Sequence, residues 1–419
     1  MIENNQSVSQ SKRNLALLMN RNFRKLWSAG LIHWTVFGIE QLATSIYIFS
    51  LTQSPLIVTS LLAVRMIPMI ILGSIAGAIS DRYPPLTLLS IGYWILAIVF
   101  FGLGSISLFG QIQVWYIFLG AVITGSGLTL DNVVRRKAIG ELAAEKTLGP
   151  AMSLDITLLM LAMLLGPLFG GILFEQTGLT GVYWFIGLCF IFVNIMTRRI
   201  ALPSLNQSSE ISDKKPNLLS EIREGLKYAR SNRIIFGTLM ITMIMNVFIL
   251  ALYGLVPIVG IDILELNPSV NGILLSCNGL GGFIGALLIS IYGPQRQYRR
   301  YYFWGSILLS VTILSFAFSD NLYLSIILLT VGGFGLAGFG TMQVTLLLLE
   351  TPSYLRARIL GLLTVCIGVG PIGALHIGYM AEQFGTINGL VIVAIEGLII
   401  MAIAGLMWPE LRKPAPPKM

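Results

Sequence analysis

The chain has 419 residues, of which 55% are hydrophobic and only 11% are charged, and its net charge is +8. So small a charged fraction leaves too little polar surface to cover water-soluble domains, which excludes a soluble protein. Uninterrupted apolar runs such as residues 86–108 are long enough for a helix to cross the hydrocarbon layer, and they exclude a barrel of short alternating strands. The composition therefore predicts an all-α integral membrane protein.

Twelve apolar runs predict twelve transmembrane helices, named spans 1 to 12 in chain order. They cover residues 27–50, 56–80, 86–108, 114–133, 152–174, 181–197, 235–260, 269–292, 302–319, 321–348, 357–381 and 386–408. The longest polar stretch follows span 6 and separates two sets of six. The predicted organisation is a cytoplasmic tail over 1–26, a six-helix bundle over 27–197, a cytoplasmic linker over 198–234, a second bundle over 235–408 and a tail over 409–419.

The polar segments outside the spans carry further predictions. Residues before span 1 are polar and basic, which predicts a cytoplasmic tail rather than a cleaved signal peptide. In the linker, residues 206–216 are typical of a flexible segment, and apolar residues at helical spacing then predict an amphipathic helix. Those residues are Leu219, Ile222, Leu226 and Ala229. A helix lying in the membrane interface and a docking surface for a partner both fit this pattern.

The positive charges alternate between connections. Of the 27 Lys and Arg, all except Arg65 fall in the two tails or in every second connection, whereas the other connections carry only acids. By the positive-inside rule, this pattern predicts that both termini are cytoplasmic. The net positive charge thus reflects the membrane topology and attraction to anionic lipid, and nucleic-acid binding is not expected.

The two halves show traces of duplication. Gly77-Ala78 in span 2 is repeated as Gly285-Ala286 in span 8, and Gly166-Pro167 in span 5 as Gly370-Pro371 in span 11, at offsets of 208 and 204 residues. Such a repeat predicts two six-helix bundles related by an axis along the membrane normal, with a substrate site near the midplane between them.

Four segments resemble the major facilitator superfamily of transporters. Residues 77–82, Gly-Ala-Ile-Ser-Asp-Arg, resemble its loop signature after span 2. Residues 166–171, Gly-Pro-Leu-Phe-Gly-Gly, resemble the end of the span 5 motif of its proton-coupled exporters. Residues 219–228 and 352–358 resemble the branch that contains enterobactin exporters and macrolide-efflux proteins.

The resemblance implies a secondary active transporter of the bacterial inner membrane. It implies proton-coupled export, by alternating access, of a small amphipathic or anionic molecule such as a siderophore or a drug. It implies a monomer without cofactor or metal, whose partners are the substrate, protons and membrane lipid. It also assigns Gly166, Pro167, Gly170 and Gly171 to a bend in span 5, where proline removes an internal hydrogen bond.

Three ionisable residues lie at membrane depth: Glu40 in span 1, Arg65 in span 2 and Glu396 in span 12. Such groups are expensive in hydrocarbon and are functional candidates. Glu40 follows Trp27 by 13 residues and Arg65 precedes Ser80 by 15, so both lie roughly 20 Å from the cytoplasmic edge. The two can therefore touch, either as a proton-coupling pair or as an ion bridge that only joins spans 1 and 2.

Two further residues are secondary candidates. His33 shares a helix face with Glu40, although a lone histidine there is more typical of a packing residue than of a proton relay. Asp155 near the start of span 5 and Asp131 near the end of span 4 flank a basic loop, which predicts that both belong to a cytoplasmic charge cluster. His376 in span 11 carries as little weight as His33.

The energy source follows from an absent motif. No Lys follows a Gly, so the Gly-Lys-Ser/Thr of a phosphate-binding loop is missing and ATP hydrolysis is not expected.

Proton binding at membrane depth can be controlled by a neighbouring charge. Burial disfavours the charged form of a carboxyl, whereas an adjacent guanidinium favours it. Separating and rejoining Glu40 and Arg65 would therefore link proton binding to the transport cycle.

A cytoplasmic gate is expected near the loop signature. Asp81 is predicted to pair with Arg135 or Arg136 and to face the start of span 11, where free backbone N–H groups favour an anion. The other gating candidates are Arg82, Arg356 and Arg358.

Other functions stay open at this stage. A lysophospholipid flippase would use the same fold. An intramembrane enzyme is disfavoured because neither His-Glu-x-x-His nor Gly-x-Ser-x-Gly occurs. A channel is disfavoured by the two-half repeat and by the lack of repeated polar rings.

Overall fold

The structure is a computed structural model that describes residues 17, 19–143, 147–201 and 218–415. Within these residues the secondary structure is helical, without strands, which confirms the predicted all-α class. The segment 206–216, predicted to be flexible, lies outside the described residues.

In the described part of the chain, fourteen α-helices are labelled α1 to α14 in chain order. They are Arg21–Thr52, Pro55–Arg82, Pro85–Leu108, Val114–Leu142, Leu148–Arg198, Leu218–Ser231, Arg233–Ile244, Val256–Asp262, Pro268–Tyr292, Tyr298–Phe316, Leu322–Glu350, Arg356–Gly368, Gly370–Phe384 and Thr386–Met407. Short 3-10 turns cover Gln295–Gln297, Ser353–Leu355 and Pro409–Arg412.

Local residue chemistry explains where several helices begin and turn. The side chain of Asn20 accepts hydrogen bonds from the backbone N–H groups of Asn22 and Phe23, at 2.9 and 3.2 Å, and so caps α1. Ser54 caps α2, whose first residue is a proline. Within α5, Gly178 has a φ of 62°, which a residue without a Cβ adopts readily, and it separates predicted spans 5 and 6.

Two predicted spans are interrupted helices. Span 7 begins as α7, passes through a π-helical turn at Met245–Ile249 and a 3-10 turn at Leu250–Gly254, and ends as α8. Span 11 is divided into α12 and α13 at Val369, directly before Gly370 and Pro371. Proline cannot donate the internal helix hydrogen bond, so the division falls where the ladder is weakest.

Nine helices among the described residues are long and apolar enough to cross a membrane. One of them, Leu154–Arg198, has 45 residues and covers predicted spans 5 and 6. Predicted spans 1 and 9 correspond to α1 and α10, which are not among the nine. The helix bounds follow the predicted spans closely along the described chain.

The described residues form two compact units. The first lies within Met1–Ser204 and Val256–Leu280, and the second within Leu205–Leu255 and Gly281–Met419. The predicted amphipathic helix is α6, which belongs to the second unit. Its residue Ala229 is buried in an apolar cluster with Ile235, Leu347, Ile359 and Leu363, so this face packs against helices of the protein. The bundle bounds derived from the sequence stay a prediction.

Candidate functional site

A buried ion pair joins α1 and α2 in the first unit. Nη2 of Arg65 lies 2.7 Å from Oε1 and 2.7 Å from Oε2 of Glu40. Both side chains are only 3% exposed. The structure thus brings together the two residues that the sequence places at equal membrane depth. This arrangement is named the glutamate–arginine pair.

The surroundings hold Arg65 in place while leaving part of its guanidinium unused. Its Cζ atom lies 5.1 Å from the ring centroid of Phe37, within the range of a cation–π interaction. A Cβ on Gly125 would lie 2.0 Å from the carbonyl oxygen of Arg65, so glycine is required where α4 meets α2. Nε and Nη1 of Arg65 are buried and have no hydrogen-bond partner among the described residues.

The glutamate–arginine pair offers one group that can bind a proton and another that can bind an anion. A carboxylate can accept a proton, and a planar guanidinium with free donors can bind a carboxylate or a similar planar anion. Neutralising one member of a buried pair leaves the other charge uncompensated, so a proton on Glu40 changes the electrostatic environment of Arg65.

A second charge cluster lies in the C-terminal half of α4. Nε of Arg135 donates to Oδ2 of Asp131 at 2.9 Å, and Nη1 of Arg135 contacts Oδ1 of Asp155. Nε of Arg136 lies 3.6 Å from Oδ2 of Asp155. The hydroxyl of Tyr93 donates to Oδ1 of Asp131 at 2.7 Å. These five residues are named the aspartate–arginine cluster.

His33 lies beside this cluster and among aromatic rings. Its ring centroid is 5.7 Å from that of Tyr93 and 5.4 Å from that of Phe190. Nδ1 of His33 is buried without a hydrogen-bond partner among the described residues. Gly30, one helical turn earlier, makes room for Arg135, since a Cβ there would lie 3.0 Å from Nη1 of that residue.

The predicted gate is described only in part. The side chain of Asp81 lies outside the described residues, so its pairing with Arg135 or Arg136 stays a prediction. Arg82 ends α2 and is exposed.

The remaining gating candidates belong to the second unit. Nε of Arg356 donates to the carbonyl oxygen of Thr351 at 3.3 Å. Nη1 of Arg358 lies 2.6 Å from Oε2 of Glu224, which links the start of α12 to the amphipathic helix α6.

The span 5 motif makes close helix contacts. A Cβ on Gly166 would lie 2.8 Å from Cα of Gly38, and one on Gly170 would lie 2.9 Å from Cα of Ile39. A Cβ on Gly171 would lie 2.2 Å from the carbonyl oxygen of Pro268, also in the first unit. These glycines therefore let α5 pack directly on two other helices. The α-helix continues through Pro167, and a bend there stays a prediction.

Glu396 pairs with a residue that sequence reasoning set aside. Nε2 of His376 in α13 lies 2.8 Å from Oε2 of Glu396 in α14, and their side chains are 28% and 38% exposed. The ring of His376 meets that of Phe248 edge-on, with centroids 6.2 Å apart, and Phe248 belongs to the π-helical turn of span 7.

The sequence reasoning missed three participants: Phe37, Tyr93 and Glu224. Phe37 could have been found, because it precedes Glu40 by three residues and so shares its helix face. Nothing in the sequence singles out Tyr93 from the chain's other tyrosines, because its partner Asp131 lies 38 residues away.

Comparison with known proteins identifies the family. The model of the transmembrane secretion effector family, within the major facilitator superfamily, matches residues 12–414, and the chain belongs to that family. It is 20% identical over 383 residues to macrolide efflux protein A of Streptococcus pyogenes, covering 89% of this chain and 94% of that protein. It is also 20% identical to the staphyloferrin A transporter of Staphylococcus aureus (strain NCTC 8325 / PS 47), and that match covers 79% of this chain and 82% of that protein.

A solved structure shares the fold. It is a bacterial homologue of the human lysosomal transporter Spinster, in an inward-facing and unoccupied conformation. The TM-score is 0.72 at 14% identity, and the match covers 97% of this chain and 99% of that one. The chain is therefore a multi-pass membrane transporter of the major facilitator fold, with efflux-type relatives, and not an enzyme, as the resemblance implied.

Proposed function

We propose that this chain, a member of the transmembrane secretion effector family, exports a small amphipathic or anionic molecule in exchange for protons. Glu40 carries the coupling proton, and Arg65 controls when that proton binds. The observation that supports this proposal is the buried glutamate–arginine pair, in which Nη2 of Arg65 contacts Glu40 while Nε and Nη1 have no hydrogen-bond partner among the described residues.

Exchange requires that the proton and the substrate bind in turn. While Nη2 of Arg65 contacts Glu40, the carboxylate is stabilised in its charged form, and Nε and Nη1 can bind an anionic group of the substrate. A proton on Glu40 ends the contact that holds Arg65 in place, so the substrate is released. Because each ligand lowers the affinity of the site for the other, exchange becomes obligatory rather than leaky.

The substrate class is inferred from the site and the relatives. A guanidinium favours an anionic group, such as the carboxylates or catecholates of siderophores. One relative is named as a transporter of staphyloferrin A and another as a macrolide efflux protein. From the guanidinium and from the names of these relatives, we infer that the substrate is a siderophore or an amphipathic drug.

Transport by the purified protein in proteoliposomes tests this proposal. With an imposed pH gradient, the wild type should accumulate substrate against its concentration gradient. Glu40→Gln should lower the stability, because the charge of Arg65 is then uncompensated. The folded variant should still bind substrate, since the amide oxygen can accept from Arg65, but uphill transport should be abolished because the amide cannot take up the coupling proton. Arg65→Ala should weaken the binding of anionic substrates most.

The control is the same chemical change at an exposed carboxylate, Glu265→Gln, which should leave transport unchanged. If the pair were merely a structural ion bridge, uphill transport by the folded Glu40→Gln variant and its pH dependence would persist. That result would reject Glu40 as the proton site and make Glu396, paired with His376, the next candidate.

A further inference from the structure

A groove in the second unit lies between α9, α10 and α11. Its volume is about 620 Å³, which falls within the ~300–1,000 Å³ of sites that hold small ligands. The walls are mainly apolar and include Leu288, Ile289, Leu308 and Phe334, whereas Arg300 lines one end. The groove is separate from the glutamate–arginine pair and from the aspartate–arginine cluster, which belong to the first unit.

Glycines bring the three helices together along the groove. A Cβ on Gly285 would lie 2.9 Å from Cβ of Ala337, and one on Gly305 would lie 3.1 Å from Cα of Gly338. A Cβ on Gly338 would lie 2.5 Å from the carbonyl oxygen of Tyr301. The helices can approach this closely only because these positions lack side chains, so the groove is fixed by backbone packing.

The charge at the end of the groove is not compensated by an acid. Arg300 is exposed, and its Nη1 donates to Oε1 of Gln297 at 3.3 Å. In contrast, Nη2 of the neighbouring Arg299 lies 2.6 Å from Oε1 of Glu350. Among the described residues, no carboxylate lies within ion-pair distance of Arg300.

The groove runs from this cation into the apolar part of α10. Leu308 follows Arg300 by eight residues, which corresponds to about 12 Å along a helix. Trp304 lies between them and is 51% exposed, while Leu288 and Leu308 are 45% and 37% exposed. A tryptophan between a cation and apolar residues is typical of the membrane–water interface.

We propose that this groove binds an anionic phospholipid. The lipid phosphate contacts Arg300, which offers several donors to phosphate oxygens, and one acyl chain lies along Leu288, Leu308 and Phe334. The unpaired charge at one end and the apolar walls beyond it complement the two parts of this ligand. The site does not depend on the proposed export function.

Native mass spectrometry of the purified full-length protein tests the site, with phosphatidylglycerol and phosphatidylcholine added at equal concentration. The wild type should retain phosphatidylglycerol over phosphatidylcholine. Arg300→Gln should reduce phosphatidylglycerol binding about tenfold, which corresponds to the loss of one good interaction. It should reduce phosphatidylcholine binding less, because the choline cation already offsets the charge of that lipid's phosphate. Arg300→Lys should keep most of the preference. Leu308→Trp should lower the binding of both lipids by filling the groove.

Arg296→Gln is the matched control, because Arg296 lies in the same basic connection but does not line the groove. It should bind both lipids as the wild type does. The proposal is overturned if the wild type shows no preference for the anionic lipid or if Arg300→Gln keeps that preference. It is also overturned if Arg296→Gln lowers the binding of phosphatidylglycerol as much as Arg300→Gln does. Unchanged binding by Leu308→Trp would equally reject the groove as the place of the acyl chain.

Discussion

Tyr93 is the uncharged member of the aspartate–arginine cluster, and its hydroxyl is one of three groups around Asp131 and Asp155. Hydrogen bonds to charged groups contribute about 1.5–3 kcal/mol when both partners are buried. Both Tyr93 and Asp131 are almost completely buried, with 2% and 1% exposure. The hydrogen bond should therefore contribute measurably to the stability of the first unit.

Tyr93→Phe removes this donor and keeps the aromatic ring. We expect its free energy of unfolding to fall by about 1.5 kcal/mol or more, measured as a lower thermal denaturation midpoint in detergent. Tyr323→Phe is the control, because that ring is 76% exposed and makes no side-chain hydrogen bond among those of the described residues. Equal denaturation midpoints for the two variants would show that the hydrogen bond from Tyr93 to Asp131 does not contribute to the stability.

Close contacts between α1 and α5 depend on glycines that face each other. Gly166 and Gly38 approach so closely that a single added methyl group would overlap backbone atoms. In membranes, where helix association relies on packing rather than on the exclusion of water, such contacts supply much of the specificity.

Gly166→Ala is therefore expected to destabilise the protein by about 1–3 kcal/mol, the usual effect of overpacking. The same change at Gly102, where a Cβ would meet nothing within 4 Å, should be neutral or slightly stabilising because alanine favours a helix. Thermal denaturation of both variants measures the difference. A midpoint for Gly166→Ala at or above that of Gly102→Ala would contradict the packing role of this motif.

The topology of the whole molecule follows from the distribution of charge. Lys and Arg occupy every second connection, which predicts that the amino and carboxyl termini are both cytoplasmic. Alkaline phosphatase is active only outside the cytoplasm. A phosphatase fusion after Gly110, between α3 and α4, should be active, and one after the last residue should be inactive. The reverse pattern would overturn the predicted orientation.

The sequence by itself determined the all-α membrane class, the bounds of most spans and the amphipathic helix α6, because apolar run length and helical periodicity are local properties. It also placed Glu40 and Arg65 at the same depth, since depth follows from the residue count along each helix. These features need no knowledge of which helices are neighbours.

Only the tertiary structure decided which side chains meet. Residue spacing gives a side chain's depth but not the direction in which its helix is turned, so Tyr93 with Asp131 and His376 with Glu396 could not be paired in advance. The same reason hid the contact between Arg358 and Glu224, and the groove beside Arg300, which exists because glycines far apart in sequence face one another.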